Sequence, residues 1–313
     1  MNKNARLIAI SAALTLSFGT SAAWAAKIGV SMSQFDDNFL TVLRGGMQKH
    51  AASLGGVELQ FEDAQKDVGR QLNQMQNFIS AKLDAIIVNP VDTDATSKMT
   101  KLAAQAGIPL VYVNRVPADW KTLPPKVAFV GSNEVDSGTL EMQEVCRLMN
   151  GKGNIVVMIG DLANQAARQR TQDVEDVIAK PPCDGIKILD KRVGNWSRTE
   201  GADLVTNWIS AGLKFDAIVS NNDEMAIGAI QSLKTAKLLD KVIVAGVDAT
   251  TDALASMQAG ELEVTVFQNA AAQGQGAVDT ALKIAKGEKV PSMVWIPFEL
   301  VTPANIKNYL QKN

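Results

Sequence analysis

A two-lobed α/β fold, each lobe built on a doubly wound parallel sheet, is what this 313-residue sequence predicts. Three observations carry the prediction. Short β-branched runs alternate with amphipathic helical stretches, and repeated strand–helix units of this length form parallel sheets with right-handed crossovers. The alternation starts, breaks near residue 131 and starts again, which divides the units into two sets. A hydrophobic content of 46% is ample for two cores.

The first set opens with a strand over 27–31. Val42, Leu43, Met47 and Ala51 then recur at helical spacing over 41–54. A strand is predicted over 57–63 and a helix over 69–82. The continuous apolar run at 85–89 suits a parallel strand covered on both faces. A helix over 94–106 is stopped by Gly107, with Pro109 just beyond. Strands over 110–114 and 127–131 complete the set. The second set reads as helix 133–150, strand 154–159, helix 166–180, strand 186–191 and helix 198–211. Strand 217–220, helix 224–236, strand 242–247, helix 252–258 and strand 263–266 follow. A helix over 272–286, one strand over 294–301 and a helix over 304–310 end the chain.

The first strand set is incomplete when the second begins, so the chain must cross between lobes more than once. Crossings are expected near Gly131–Ser132, Val266–Gln268 and Ile296–Glu299. One lobe is then 26–131 plus 268–297, and the other 132–267 plus 298–313.

Ahead of these units stand Lys3 and Arg6, an apolar run over 7–18, and Ala23-Trp24-Ala25. A basic start, a short apolar core and an A-x-A ending make a cleavable export signal, with cleavage expected after Ala25. Its loss moves the net charge from −2 to −4, which argues against a nucleic-acid or anionic-membrane surface. Cys146 and Cys183 in an exported chain could pair or stay as two buried thiols, and the sequence leaves both open. No Cys-x-x-Cys or Cys/His spacing is present and His50 is the sole histidine, so no metal or other cofactor is expected.

In open parallel sheets, ligands bind beyond the carboxyl ends of the strands. Those ends carry Asp37 and Phe39, Asn89 and Asp92, and Asn114-Arg115. In the second half they carry Gln165 and Arg168, Asn195-Trp196, Asn221-Asn222-Asp223, Asp248 and Gln268-Asn269. Carboxylates, amides and guanidinium forks satisfy vicinal hydroxyls, while an aromatic face suits the C–H face of a sugar ring. No strand is followed by the glycine-rich loop of a phosphate site. A polyol-acting enzyme would need a proton-transfer pair; Asp37 and Asp248 read better as hydroxyl acceptors, and no catalytic residue is assigned. Any one Asp or Asn in such a place is commonly only a helix cap, so the inference rests on their convergence.

At these residues the sequence resembles the ribose-binding-protein family of periplasmic sugar-binding components of ABC importers. The resemblance runs over the whole chain after the export signal. It is carried by Asp37-Asn38-Phe39, Asn89-Pro90-Val91-Asp92, Asn114-Arg115, Ala166-Ala167-Arg168-Gln169-Arg170, Gly246-Val247-Asp248 and, most specifically, Asn222-Asp223-Glu224-Met225-Ala226-Ile227-Gly228. It implies the type I periplasmic binding fold and a location in the periplasm. It also implies a monomer that closes on its ligand and partners in a permease and an ATPase, with a chemoreceptor as a further possible partner. Ligand contacts carried across fall on Asp37, Phe39, Asn114, Arg115, Arg168, Trp196, Asn222, Asp248 and Gln268. Ribose binders have Asn and a second Phe where this chain has Asp37 and Leu40, and Asp-Arg where it has Asn114-Arg115. With Gln34 to Arg44 and Tyr112 to Arg115, the chain looks most like the myo-inositol and rhizopine-binding branch. Related repressors begin with a helix-turn-helix, and here the export signal stands in that place.

Overall fold

The computed structural model describes residues 25–312, so the expected export signal lies outside the described residues except for Ala25. The first lobe begins with β1 (Ala26–Met32), α1 (Asn38–Leu54), β2 (Val57–Asp63), α2 (Val68–Ser80) and β3 (Ala85–Val88). It continues through α3 (Thr96–Ala106), β4 (Leu110–Val113) and β5 (Val127–Gly131). The second holds α4 (Glu134–Leu148), β6 (Lys152–Ile159), α5 (Gln165–Ile178), β7 (Gly185–Val193) and α6 (Arg198–Ser210). Then come β8 (Ala217–Ser220), α7 (Asp223–Ala236), β9 (Ile243–Ala245), α8 (Thr251–Gln258) and β10 (Thr265–Gln268). The chain returns to the first lobe for α9 (Ala270–Ala285) and β11 (Met293–Trp295), then ends in the second with β12 (Phe298–Val301).

Strand order in the first sheet is β11-β5-β4-β3-β1-β2, all parallel. The second sheet is β7-β6-β8-β9, also parallel, and β10 continues it through bridges at Ala245–Val264 and Asp248–Phe267 while pairing antiparallel with β12. All four residues of β3 are buried because helices cover both faces. One face of the first sheet packs Val30, Ile87, Val111 and Val130 against α1 and α9; the other packs Ile86, Tyr112 and Phe129 with Phe78 of α2. Gly29 lets that second face close: a Cβ there would lie 2.5 Å from the Phe78 ring. The second sheet repeats the plan, with Met225, Ile230 and Trp208 on one side and Met142, Val145 and Val174 on the other.

Five details depart from the sequence reading or complete it. The strand expected over 294–301 is two, because Pro297 has no N–H to give a ladder and the chain changes sheets there. The last helix shrinks to a single 3₁₀ turn at Ile306–Asn308. Trp295, an apolar residue within a strand pattern that would suit a core, is 46% exposed on an edge strand and meets Phe129 edge-on. His50, whose place beside Lys49 on a helix would suit solvent, is half-buried and bonds Asp279 Oδ1 at 2.6 Å, joining α1 to α9. Cys146 at the end of α4 and Cys183 beyond α5 form a disulfide, their Cα atoms 5.7 Å apart.

Candidate functional site

The ends of β1, β4, β7, β8, β9 and β10 converge where the two lobes meet, and the backbone there is bent out of the strand conformation. Asn114 has φ 68°, Trp196 φ 64° and Asp248 φ 127°. Asn tolerates the left-handed region, but Trp and Asp at such angles carry strain of roughly 1–3 kcal/mol each. The bends turn these side chains out of the sheet edge. Asp37 and Asn222 come in differently, as N-caps of α1 and α7.

Together these residues line a cavity of about 40 Å³. The first lobe supplies Asp37, Phe39, Leu40, Asn114 and Arg115 to its wall. The second supplies Glu134, Ala166, Arg170, Trp196, Asn222 and Asp248, and Gln268 joins them from the end of β10, where the chain crosses back to the first lobe.

Asp37 does two jobs: its Oδ1 accepts the Leu40 N–H at 2.8 Å, capping α1, and its Oδ2 accepts from Gln34 Nε2 at 3.3 Å. Burial raises its pKa, against the pull of that N–H and of Arg115. Arg115 donates to Pro90 O at 2.7 Å, and burial lowers its pKa while Asp37 opposes the shift. Asn114 Oδ1 accepts from Asn89, and its Nδ2 donates to Gln273 Oε1 at 3.3 Å.

Across the cavity, Arg170 is 4% exposed and bonds three partners. It donates Nε–H to Glu134 at 2.8 Å, Nη1–H to Asn221 O at 2.6 Å and Nη2–H to Gln268 Oε1 at 3.4 Å. Asp248 lies 3.9 Å from Nη1. Burial works against the Arg170 charge, but Glu134 and Asp248 outweigh it and its pKa rises. Burial pushes Asp248 well above the usual carboxylate range, moderated by Arg170. Trp196 is fixed through Nε1–H to Asn164 Oδ1 at 2.9 Å, and Asn222 Oδ1 accepts from Met225 N at 3.1 Å. Among the described residues no group of His, Cys, Asp or Glu is placed to hold a metal ion.

Eight of the nine expected contact residues thus line one cavity. Arg168 does not. Its guanidinium is 40% exposed and turns to Asp94 Oδ1 at 3.1 Å and to Leu162 O. The reason is helical phase. The buried side of α5 is Ala166, Ala167, Arg170, Asp173 and Val174, and residues two apart do not share a face. Glu134 was also missed. It belongs to a buried stripe on α4 with Ser137 and Glu141, a 3–4 spacing present in the sequence.

A carboxylate–guanidinium–amide cavity with aromatic walls can surround a ring of hydroxyls on all sides. The chain is similar to known proteins over most of its length. The family model described as a periplasmic binding protein domain matches residues 28–289. The Rhizobium meliloti protein named "Putative rhizopine-binding protein" is 59% identical over 308 residues, covering 98% of this chain and 99% of that one. An ABC transporter solute-binding protein from Bacillus halodurans C-125, solved with bound myo-inositol, superposes with TM-score 0.89 at 42% identity over 94% of this chain and 100% of that one. The Caulobacter myo-inositol binding protein bound to myo-inositol gives TM-score 0.84 at 27% identity, covering 91% and 95%.

Proposed function

We propose, from the premise that this chain belongs to the periplasmic binding protein family, that it is the solute receptor of an ABC importer and that its ligand is myo-inositol or a close cyclitol. One observation carries the choice of ligand: three carboxylates, two guanidinium groups and three amides, drawn from both lobes, converge on one cavity. A ring bearing a hydroxyl on every carbon offers a partner to each. Ribose would leave several buried polar groups unpaired, at roughly 1–3 kcal/mol each. Leu40, in the place where ribose binders carry a second aromatic wall, leaves space for a fuller ring. The protein solved with myo-inositol at 42% identity supports the same reading.

In this reading the ring stacks between Phe39 and Trp196, and its hydroxyls bond Asp37, Asn114, Arg115, Arg170, Asn222, Asp248 and Gln268. Residues 26–131 plus 268–297 and residues 132–267 plus 298–313 move as two bodies that close on the ligand. The export signal is cleaved after Ala25, the chain works in the periplasm as a monomer without turnover, and the closed form is what a permease and its ATPase recognise. Titration calorimetry with myo-inositol, ribose, glucose, galactose and xylose tests the ligand. Tightest binding of myo-inositol, recovered unchanged, is the expected result. Tighter binding of any of the four sugars sinks the cyclitol assignment, and steady product formation sinks the receptor reading.

A further inference from the structure

Asn164 occupies the N-cap position of α5, where an Asn side chain ordinarily accepts a first-turn N–H. It makes no such bond. The side chain is fully buried, and both of its ends reach elsewhere. Oδ1 accepts the Trp196 indole N–H at 2.9 Å. Nδ2 donates to Val91 O, on the opposite lobe, also at 2.9 Å.

Around this bond a strip of the first lobe, 91–94, meets a strip of the second, 161–168. Thr93 N donates to Ala163 O at 3.1 Å, Gln165 N donates to Thr93 Oγ1 at 3.1 Å, and Arg168 pairs with Asp94. A separate contact joins Asn38 Nδ2 to Glu224 Oε1 at 2.8 Å. Among the described residues, Asn164 is the one member of these lobe-to-lobe bonds that also holds a cavity-wall side chain.

We propose that Asn164 couples occupancy of the Trp196 face to lobe closure, acting as a positioning residue rather than a ligand contact. This rests on the reading that Trp196 faces the ligand and that the lobes close on it. One amide cannot release Val91 without altering the anchor of the indole. With the lobes apart, Nδ2 has lost its acceptor, and Oδ1 can turn to the first-turn N–H groups of α5, leaving the indole unfixed. A ring that pins Trp196 in place therefore favours the Asn164 orientation that also grips the other lobe.

The test is a double-mutant cycle on Asn164→Asp and Trp196→Phe, read by calorimetry with ligand-free Tm alongside. Binding is measured with whichever of myo-inositol, ribose, glucose, galactose and xylose saturates the unaltered chain at the lowest concentration. A wrong choice of ring then changes the probe while the cycle still decides Asn164. Asn164→Asp keeps the acceptor for Trp196, removes the donor to Val91 and leaves a good cap. We expect it to weaken binding about tenfold, with ligand-free Tm unchanged, and to cost at least about threefold less in the Trp196→Phe background. Should Asn164→Asp lower the ligand-free Tm, Asn164→Ser replaces it; its hydroxyl caps α5 but reaches neither partner. Equal cost in both backgrounds, or no cost in either, overturns the coupling.

Discussion

The indole of Trp196 occupies space that Gly160 leaves by having no side chain: a Cβ on Gly160 would lie 2.3 Å from the ring. Gly160 sits directly after β6, its N–H bonded to Asn221 Oδ1 at 3.1 Å, so it cannot slide aside. Gly160→Ala should push the indole into the cavity and weaken ligand binding by tenfold or more, a cost of about 1.4 kcal/mol. The circular dichroism spectrum should stay native. Unchanged affinity in titration calorimetry would show that the ring position does not matter to the ligand.

Replacing the two neighbouring arginines separates the buried from the exposed. Arg170→Lys removes a planar fork whose three nitrogens serve Glu134, Asn221 O and Gln268 separately, and replaces it with a single nitrogen. At least about tenfold weaker binding is expected. Arg168→Lys keeps a charge beside Asp94 in a half-exposed pair of the kind worth roughly 0–1 kcal/mol, so its effect should stay within a few fold. The opposite ranking would return Arg168 to the cavity wall.

Asp173 gives the fold a pH dependence. It is 1% exposed, its Oδ2 has no partner, and burial pushes its pKa up to about 7 although Gln169 pulls it down. Between roughly pH 4 and 7 the folded chain keeps a proton that the unfolded chain has released, so stability falls as pH rises through that window. Asp173→Asn has no such proton to lose. Its Tm minus that of the unaltered chain should grow between about pH 5 and 8, corresponding to on the order of 1 kcal/mol or more. A difference that stays flat with pH would place the titration elsewhere.

The bond between Cys146 and Cys183 closes a loop of sequence separation 37 in the second lobe, away from the cavity. Cys146→Ser together with Cys183→Ser should lower unfolding free energy by about 2–4 kcal/mol in urea, with ligand affinity intact. Loss of affinity at temperatures where the double variant is fully folded would contradict this separation of roles.

Strand ends were legible in the sequence because apolar runs stop abruptly at polar residues, which is how Asp37, Asn114, Trp196, Asp248 and Gln268 could be singled out. Arg170 and Glu134 were not, since each lies inside a helix, where only the phase of the apolar positions tells inward from outward. Counting from Ala166 and Ala167 puts Arg170, not Arg168, on the inward stripe. The left-handed backbone at Trp196 had no local signature, because tertiary packing alone holds a Trp there. Pro297 did carry a signal, a missing donor in the middle of an apolar run, and it marks where one expected strand became two.

Asp37 and Asn222 each start a helix with the side chain that also faces the cavity. For anyone re-engineering the pocket toward another solute, this divides its wall into costly and cheap positions. At the two caps, replacement by anything other than Ser, Thr, Asp, Asn or Gly frays α1 or α7 by about 1 kcal/mol before any new ligand is gained. Leu40, the third residue of α1, enters the cap only through its backbone N–H, which any residue but proline keeps. A library that varies Leu40 and holds Asp37 and Asn222 fixed should therefore retain more folded clones than one that randomises the whole wall.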